Sequence, residues 1–296
     1  MSQWVEAMRS GAYDAAWAFA EETLREREAA TRDDPAKPYH QRWVWDGRPF
    51  EGRNVLVRCY HGLGDTLQFA RFLPLLAARA AKVTVEVQPR LRPLLEGLMG
   101  AGSINFRSFD VANPLPPADV DVEITELDFA LRASPQDVQP PYLAVSPASL
   151  PSRTIGLCYG AGDWDADRSV PTAMFAPLCR RASILTLMPE PTALDVFNPG
   201  GCPFDIGQTA ALVAGAQLVI TVDTMIAHLA GAIGKPVWLL LKSEPDWRWS
   251  PDARTSPWYP STRLYVQPRA GDWEAVLAHV EQDLAALTAL QPERIA

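Results

Sequence analysis

Cysteine is scarce in this chain: four in 296 residues, at positions 59, 158, 179 and 202. None stands in a C-x-x-C pair, so a cysteine-held zinc site is not indicated. Cys59 and Cys158 fall inside apolar, strand-like runs, where a reduced thiol behaves as a small hydrophobe, and a reduced, cytoplasmic protein is expected. The four histidines, His40, His61, His228 and His279, show no ligand spacing either, so no metal and no cofactor are expected. Lysine- or arginine-rich blocks are missing, and the net charge is -8, which argues against a nucleic-acid backbone as partner. The opening Met1-Ser2-Gln3-Trp4-Val5-Glu6 lacks a basic start followed by an apolar run, so no signal peptide is expected. Apolar runs such as 236–241 fall far short of the ~20 residues of a membrane helix, so no membrane span is expected.

What is present is ample apolar material. Hydrophobic residues make up 48% of the chain, and the length suits two domains of about 150 residues each. Residues 2–28 read as two helices around a Gly turn, a hairpin like a single tetratricopeptide unit; one unit cannot bury its own faces, so docking on the next domain is expected. Residues 30–53 form a polar lead-in with Trp43 and Trp45 as anchors. A strand over 54–60 then meets the turn His61-Gly62-Leu63-Gly64-Asp65, a helix from near Thr66, and a strand over 83–87. That β-turn-α-β order implies a parallel sheet with a right-handed crossover. Weaker strands are expected near 104–106 and 120–124. After Pro-rich 140–151 the pattern restarts: strands over 154–159, 183–188, 218–222 and 237–241, a helix over 210–215 capped by Thr209, a helix after Asp223-Thr224, a strand at Tyr265-Val266, and a last helix after Asp272 that is expected to end near the first domain. The expected division is a hairpin and lead-in over 1–45, one Rossmann-like domain over 46–150 and a second over 151–296.

Ligands bind at the carboxyl ends of parallel strands, which selects the Gly62–Asp65 and Asp223–His228 turns. Gly62-Leu63-Gly64 lets the backbone turn tightly before a helix end that favours anions. It is not the dinucleotide fingerprint, because Leu67 stands where a third glycine belongs. Asp65 reads either as a helix cap or as a carboxylate that takes a proton in a cleft. Thr224 and His228, four apart, share one helix face at an end suited to a diphosphate; the plain alternative has Asp223 as cap and His228 as a satisfied core residue. Residues 159–171 form a glycine- and aspartate-rich loop without the order of an EF-hand, in which Arg168 can clamp a phosphate or simply face solvent. Asp246-Trp247-Arg248-Trp249 and Ser256-Pro257-Trp258-Tyr259-Pro260 can stack on a sugar or base, or pack their loop.

These segments, in this order, resemble the glycosyltransferase-like domain at the C-terminal end of many bacterial tetratricopeptide proteins, a relative of the ADP-heptose:lipopolysaccharide heptosyltransferases of glycosyltransferase family 9. The resemblance runs over roughly residues 42–290 and rests on 62–72, 222–232, 234–238, 246–249 and 256–260. It implies a GT-B fold: two Rossmann-like α/β domains with parallel sheets, preceded here by the short helical hairpin. It implies inverting, metal-independent transfer of a hexosyl or heptosyl group from a nucleotide-diphosphate sugar to an acceptor (glycan, protein or small molecule), with Asp65 as base. Gly62, Gly64, Arg168, Asp223, Thr224, Met225 and His228 would lie about the donor, and Glu190 would meet its ribose. Two departures stand out. Met225 replaces the glycine that follows the Asp-Thr pair in heptosyltransferases, and the short loop after Tyr159 lacks their phosphate-binding lysine. A non-catalytic GT-B-like binding protein is the alternative function, and a nucleotide-sugar epimerase a third.

Overall fold

The computed structural model describes residues 2–102 and 104–289; positions 290–296, the end of the expected second domain, lie outside the described residues. Two sheets organise the chain. The first joins β1 (Asn54–Arg58), β2 (Lys82–Val87), β3 (Asn105–Ser108) and β4 (Val120–Glu123) in the order β3-β2-β1-β4. The second joins β5 (Ile155–Cys158), β6 (Ile184–Thr186), β7 (Leu218–Val222), β8 (Val237–Leu241) and β9 (Thr262–Val266) in the order β6-β5-β7-β8-β9. Every pairing is parallel. Parallel strands are covered by helices on both faces, which is why β7, Leu-Val-Ile-Thr-Val, is buried throughout instead of alternating. The chain thus builds two Rossmann-like α/β domains behind a pair of N-terminal helices.

The helices are α1 (Gln3–Ser10), α2 (Tyr13–Glu26), α3 (Leu63–Phe69), α4 (Leu73–Ala77), α5 (Arg92–Leu95), α6 (Leu127–Leu131), α7 (Ala176–Cys179), α8 (Ile206–Gly215), α9 (Met225–Ile233) and α10 (Trp273–Ala289). Three depart from the sequence reading. First, α3 starts at Leu63, not near Thr66, because Asp65 reaches back from the third helical position to accept the N–H of Gly62 at 3.0 Å. Second, α8 starts before Thr209. Asp205 is its cap and accepts the N–H of Gln208 at 2.8 Å, while Thr209 is buried inside the helix and bonds the carbonyls of Pro203 and Asp205. Third, the described part of α10 packs on the second sheet: Trp273, Val276, Leu277, Val280 and Leu284 share a core with Leu157, Ile220 and Leu240.

The other core runs without a break from the first sheet into the second domain. It holds Val55, Leu67, Phe69 and Phe72 together with Ala227, Leu229, Ala230, Trp258 and Tyr259. α3 lies against α9 at this junction. A Cβ on Gly64 would sit 2.7 Å from Cδ2 of His228, so this glycine allows the close approach, while the bare Gly231 lets the fully buried Tyr259 ring lie on α9, where a Cβ would meet its Cδ1 at 2.4 Å.

The N-terminal hairpin docks on both domains. Gly11 closes α1 in the left-handed region at φ 75°. Arg9 donates to the carbonyls of Pro245 and Asp246 at 2.6 and 3.3 Å, and Trp4 meets Trp247 edge-on with centroids 5.0 Å apart. Toward the first domain, Arg27 pairs with Glu126 at 2.8 Å and Arg132 with Glu21. In the lead-in, Trp45 is buried against Phe50 and Phe129, while Trp43 is half-buried and bonds Thr31.

One feature of the first sheet has no trace in the apolar pattern. Arg58 of β1 is buried between neighbours on both sides, Glu86 of β2 at 2.7 Å and Asp121 of β4 at 2.8 Å, and also donates to the carbonyl of Leu115 at 2.9 Å. A buried ion triad adds little net stability over an apolar core, but removing one member strands the rest. Arg58→Met is therefore expected to cost about 3–5 kcal/mol, because two buried carboxylates lose their counter-charge. Urea unfolding would measure it; a loss below about 1 kcal/mol would show the triad to be dispensable.

Candidate functional site

Strand order fixes where a site can form. In the first sheet the order in which strands are added reverses between β1 and β4, and in the second between β5 and β7. The crevices at the carboxyl ends of those strand pairs are the expected ligand sites. A single cleft of about 1150 Å³ is lined by the segments that follow all four strands: Gly62, Gly64 and Asp65 after β1, Thr125 and Asp128 after β4, Gly162, Asp165 and Arg168 after β5, and Asp223, Thr224, Met225 and His228 after β7. Lys242, Asp246, Trp247 and Arg248, past β8, and Trp4 from α1 complete the wall.

Of the residues expected at the donor or as base, all but Glu190 are brought together here. Glu190 lies exposed beyond β6 and is not among the lining residues. Asp65 uses one oxygen for the Gly62 N–H and the other for the guanidinium of Arg248. Arg248 also donates to Oε1 of Gln68 at 2.5 Å and to Oδ1 of Asp246 at 2.8 Å, so one side chain of the second domain grips two residues of α3. Thr224, not Asp223, caps α9: its backbone is extended and its hydroxyl accepts the N–H of Ile226 at 3.1 Å. Arg168 donates to the carbonyl of Asp223 at 2.8 Å, beside that helix end. His228 forms part of the wall yet is only 5% exposed, with Nδ1 3.0 Å from the hydroxyl of Tyr259. Of the aromatic cluster, Trp249, Trp258 and Tyr259 are buried packing residues, and only Trp247 reaches the cleft, paired with Trp4.

Sequence reasoning assigned no role to Arg248, Asp128, Lys242 or Trp4. Lys242 directly follows β8, so the strand-end rule could have selected it. Arg248 is the one cation among the tryptophans of its motif. Asp128 carries no local signal, since an acid in the first turn of a helix is ordinary. Among the described residues, no group of three or more His, Cys, Asp or Glu is placed to hold a metal ion.

Comparison with known proteins places the fold. Residues 202–263 match the family model of glycosyltransferase family 9 (heptosyltransferase), a stretch that contains Asp223, Thr224, His228, Lys242 and Arg248. Protein FlbA of Caulobacter vibrioides is 23% identical in an alignment of 281 residues that covers 80% of this chain and 47% of FlbA, so the chain spans about half the length of that relative. Among solved structures, E. coli ADP-heptose LPS heptosyltransferase II superposes with a TM-score of 0.53 at 17% identity, over 78% of this chain and 99% of that one. A family 9 glycosyltransferase from Veillonella parvula DSM 2008 gives 0.51 at 12%, over 81% and 91%. The dodecameric iron-containing heptosyltransferase TibC of enterotoxigenic E. coli H10407, solved with ADP-D-beta-D-heptose, gives 0.52 at 12%, over 80% and 78%. The chain shares the GT-B-like, family 9 type of fold with these proteins, as its sequence resemblance implied.

The cleft shifts the protonation of its own groups. Burial, then the neighbouring Asp246, raises Asp223 to about 6. Burial raises Asp128 to about 7; it accepts the N–H of Phe129 at 2.6 Å, and among the described residues no ion pair includes it. Burial, with Arg248, Arg71 and Arg168 nearby, holds His228 well below its usual value, so the ring is neutral at pH 7. For Asp128 the folded state keeps the proton longer than the unfolded chain does. Its contribution to stability therefore declines as pH rises from 3.8 to about 7. Asp128→Asn removes that decline, so the stability of the variant relative to wild type should increase across this window by about 1 kcal/mol or more. Melting temperatures of both proteins from pH 4 to 8 test this; a difference that does not change with pH would contradict it.

Proposed function

We propose that the cleft transfers a sugar from a nucleotide-diphosphate donor to an acceptor hydroxyl, with inversion and without a required metal. The observation that carries this reading is the meeting of both topological switch points in one cleft, an acid-bearing turn on one side and a capped helix end with cations on the other. A nucleotide sugar bound to TibC, a protein of this type of fold, supports the donor class.

The donor lies against the second domain, with its diphosphate toward the N-terminus of α9 and the guanidinium of Arg168. Gly62 and Gly64 keep the opposite wall free of side chains. Asp223 and Met225 border the sugar, and neutral His228, anchored by Tyr259, offers a hydrogen bond without a charge. Glu190 reaches the ribose only if the segment after β6 moves inward. Asp65 takes the proton of the acceptor hydroxyl. Both its oxygens already accept one bond, but a carboxylate oxygen has a second lone-pair site. The acceptor oxygen forms its bond to the anomeric carbon as the bond from that carbon to the phosphate oxygen breaks. The electron pair leaves with the diphosphate, whose growing charge is met by fixed dipoles and cations.

One observation favours the alternative, a binding protein that does not turn over: both oxygens of Asp65 are already engaged, one by the Gly62 N–H and one by Arg248, where a base has to meet an acceptor hydroxyl. A purified-protein screen of nucleotide-diphosphate sugars, run on wild type and Asp65→Asn, separates the two. Asn can still accept the Gly62 N–H but takes no proton and turns its amide NH2 toward Arg248, so the melting temperature is measured beside turnover. The variant should bind nucleotide as wild type does and lose about 10²–10⁴ in transfer or donor hydrolysis. Equal turnover in both proteins removes Asp65 as base. Donor binding with no turnover in either selects the binding protein.

A further inference from the structure

The charges of the second-domain wall are arranged around a carboxylate of the chain itself. Lys242, half-buried at the carboxyl end of β8, places Nζ 2.8 Å from Oδ2 of Asp165. Arg168 places Nε 3.6 Å from the same oxygen while its Nη1 donates to the carbonyl of Asp223, next to the capped end of α9. Asp165 is held in the loop after β5 by a backbone that breaks its helical turn, at φ -149° and ψ 83°. A single oxygen atom thus serves two cations beside a helix N-terminus, in a cleft wide enough for a small-molecule ligand.

We propose that Lys242 and Arg168 are the cation pair that binds the diphosphate of the donor, and that Asp165 is an internal anion that occupies the pair until the diphosphate displaces it. This rests on the donor reading above and adds to it the source of the charge. The chemistry favours the exchange. A diphosphate offers several charged acceptor oxygens to two cations and a helix end, whereas Asp165 offers one oxygen to both. The displaced carboxylate is only 15% exposed where it stands, and swinging toward solvent lets water satisfy it. The cost of displacement lowers apparent affinity and selects ligands with more negative charge than a monophosphate or a free nucleoside.

Calorimetric titration with ADP and with UDP, and with adenosine and uridine as uncharged controls, tests this on the full chain. Lys242→Met should weaken the tighter of the two diphosphates about tenfold or more, in line with the loss of a charge-assisted bond, and leave its nucleoside unchanged. Asp165→Asn should tighten the same diphosphate several-fold, because the competing charge is gone while the side-chain shape remains. Unchanged diphosphate affinity in Lys242→Met overturns the assignment while the donor reading stands. So does weaker binding in Asp165→Asn with an unaltered melting temperature, which would make Asp165 a structural support instead of a competitor. Wild-type protein that binds neither diphosphate overturns the donor reading and this inference together.

Discussion

Arg248 joins the two halves of the molecule at the place where chemistry would occur. It leaves the second domain three residues after Pro245, whose carbonyl is held by Arg9 of the hairpin, and ends on Asp65 and Gln68 of α3. The side chain is 11% exposed, so its charge depends on the carboxylates around it. Asp65 and Asp246 supply that compensation, and Asp65 could not be held next to the second domain if Gly64 carried a side chain against His228. A packing constraint, the α3–α9 contact, and an electrostatic one therefore fix the same few residues. The hairpin enters this arrangement as a support. By holding the loop at 245–246 it sets the position from which Arg248 reaches across, a physical role that does not require it to belong to a longer helical array.

The fold was legible because parallel α/β chains write it in a simple form. Buried strands are continuous apolar runs, and β1, β7 and β8 each contain one, while β2 shows β-branched Val-Thr-Val instead. β1 leads through a glycine turn into a helix and β7 directly into one, so the repeated order implied two parallel sheets. Two of the departures lay at helix starts, where side-chain capping decides the boundary. Asp65 and Asp205 each accept a backbone N–H only three residues away, and several Asp and Thr side chains near each start could have done so. Arg58 was illegible for another reason. A charged residue in a strand looks like a solvent-facing position until its neighbours on β2 and β4 bring Glu86 and Asp121 beside it.

In the site, strand-end residues were legible and cross-domain partners were not. Asp65, Asp223, Thr224 and His228 follow strands, and the rule for parallel sheets reaches them directly. Arg248, Asp128 and Trp4 line the cleft because of how separate segments fold back, at separations no local pattern encodes. At Asp65, capping and cleft position coincide: one oxygen caps the helix while the side chain also lines the cleft, its other oxygen on Arg248.

Net charge says little about what such a cleft binds. The chain carries -8, and the cleft wall itself holds six carboxyls, Asp65, Asp128, Asp165, Asp223, Glu244 and Asp246, against the three cations Arg168, Lys242 and Arg248. Taken at face value that wall repels a diphosphate. Burial changes the count, since Asp128 and Asp223 are raised to about 7 and about 6 and give up part of their charge near neutral pH. Of the remaining acids, Asp65 and Asp246 are committed to Arg248, and Asp165 to Lys242 and Arg168. An incoming anion therefore meets a wall that keeps an excess of acid, with Asp65, Asp165 and Asp246 paired to its cations, and it gains only where it replaces an existing anion. Of these paired acids only Asp165 stands on the pair beside the α9 N-terminus, so the proposed exchange of one anion for another is confined to that point of the wall.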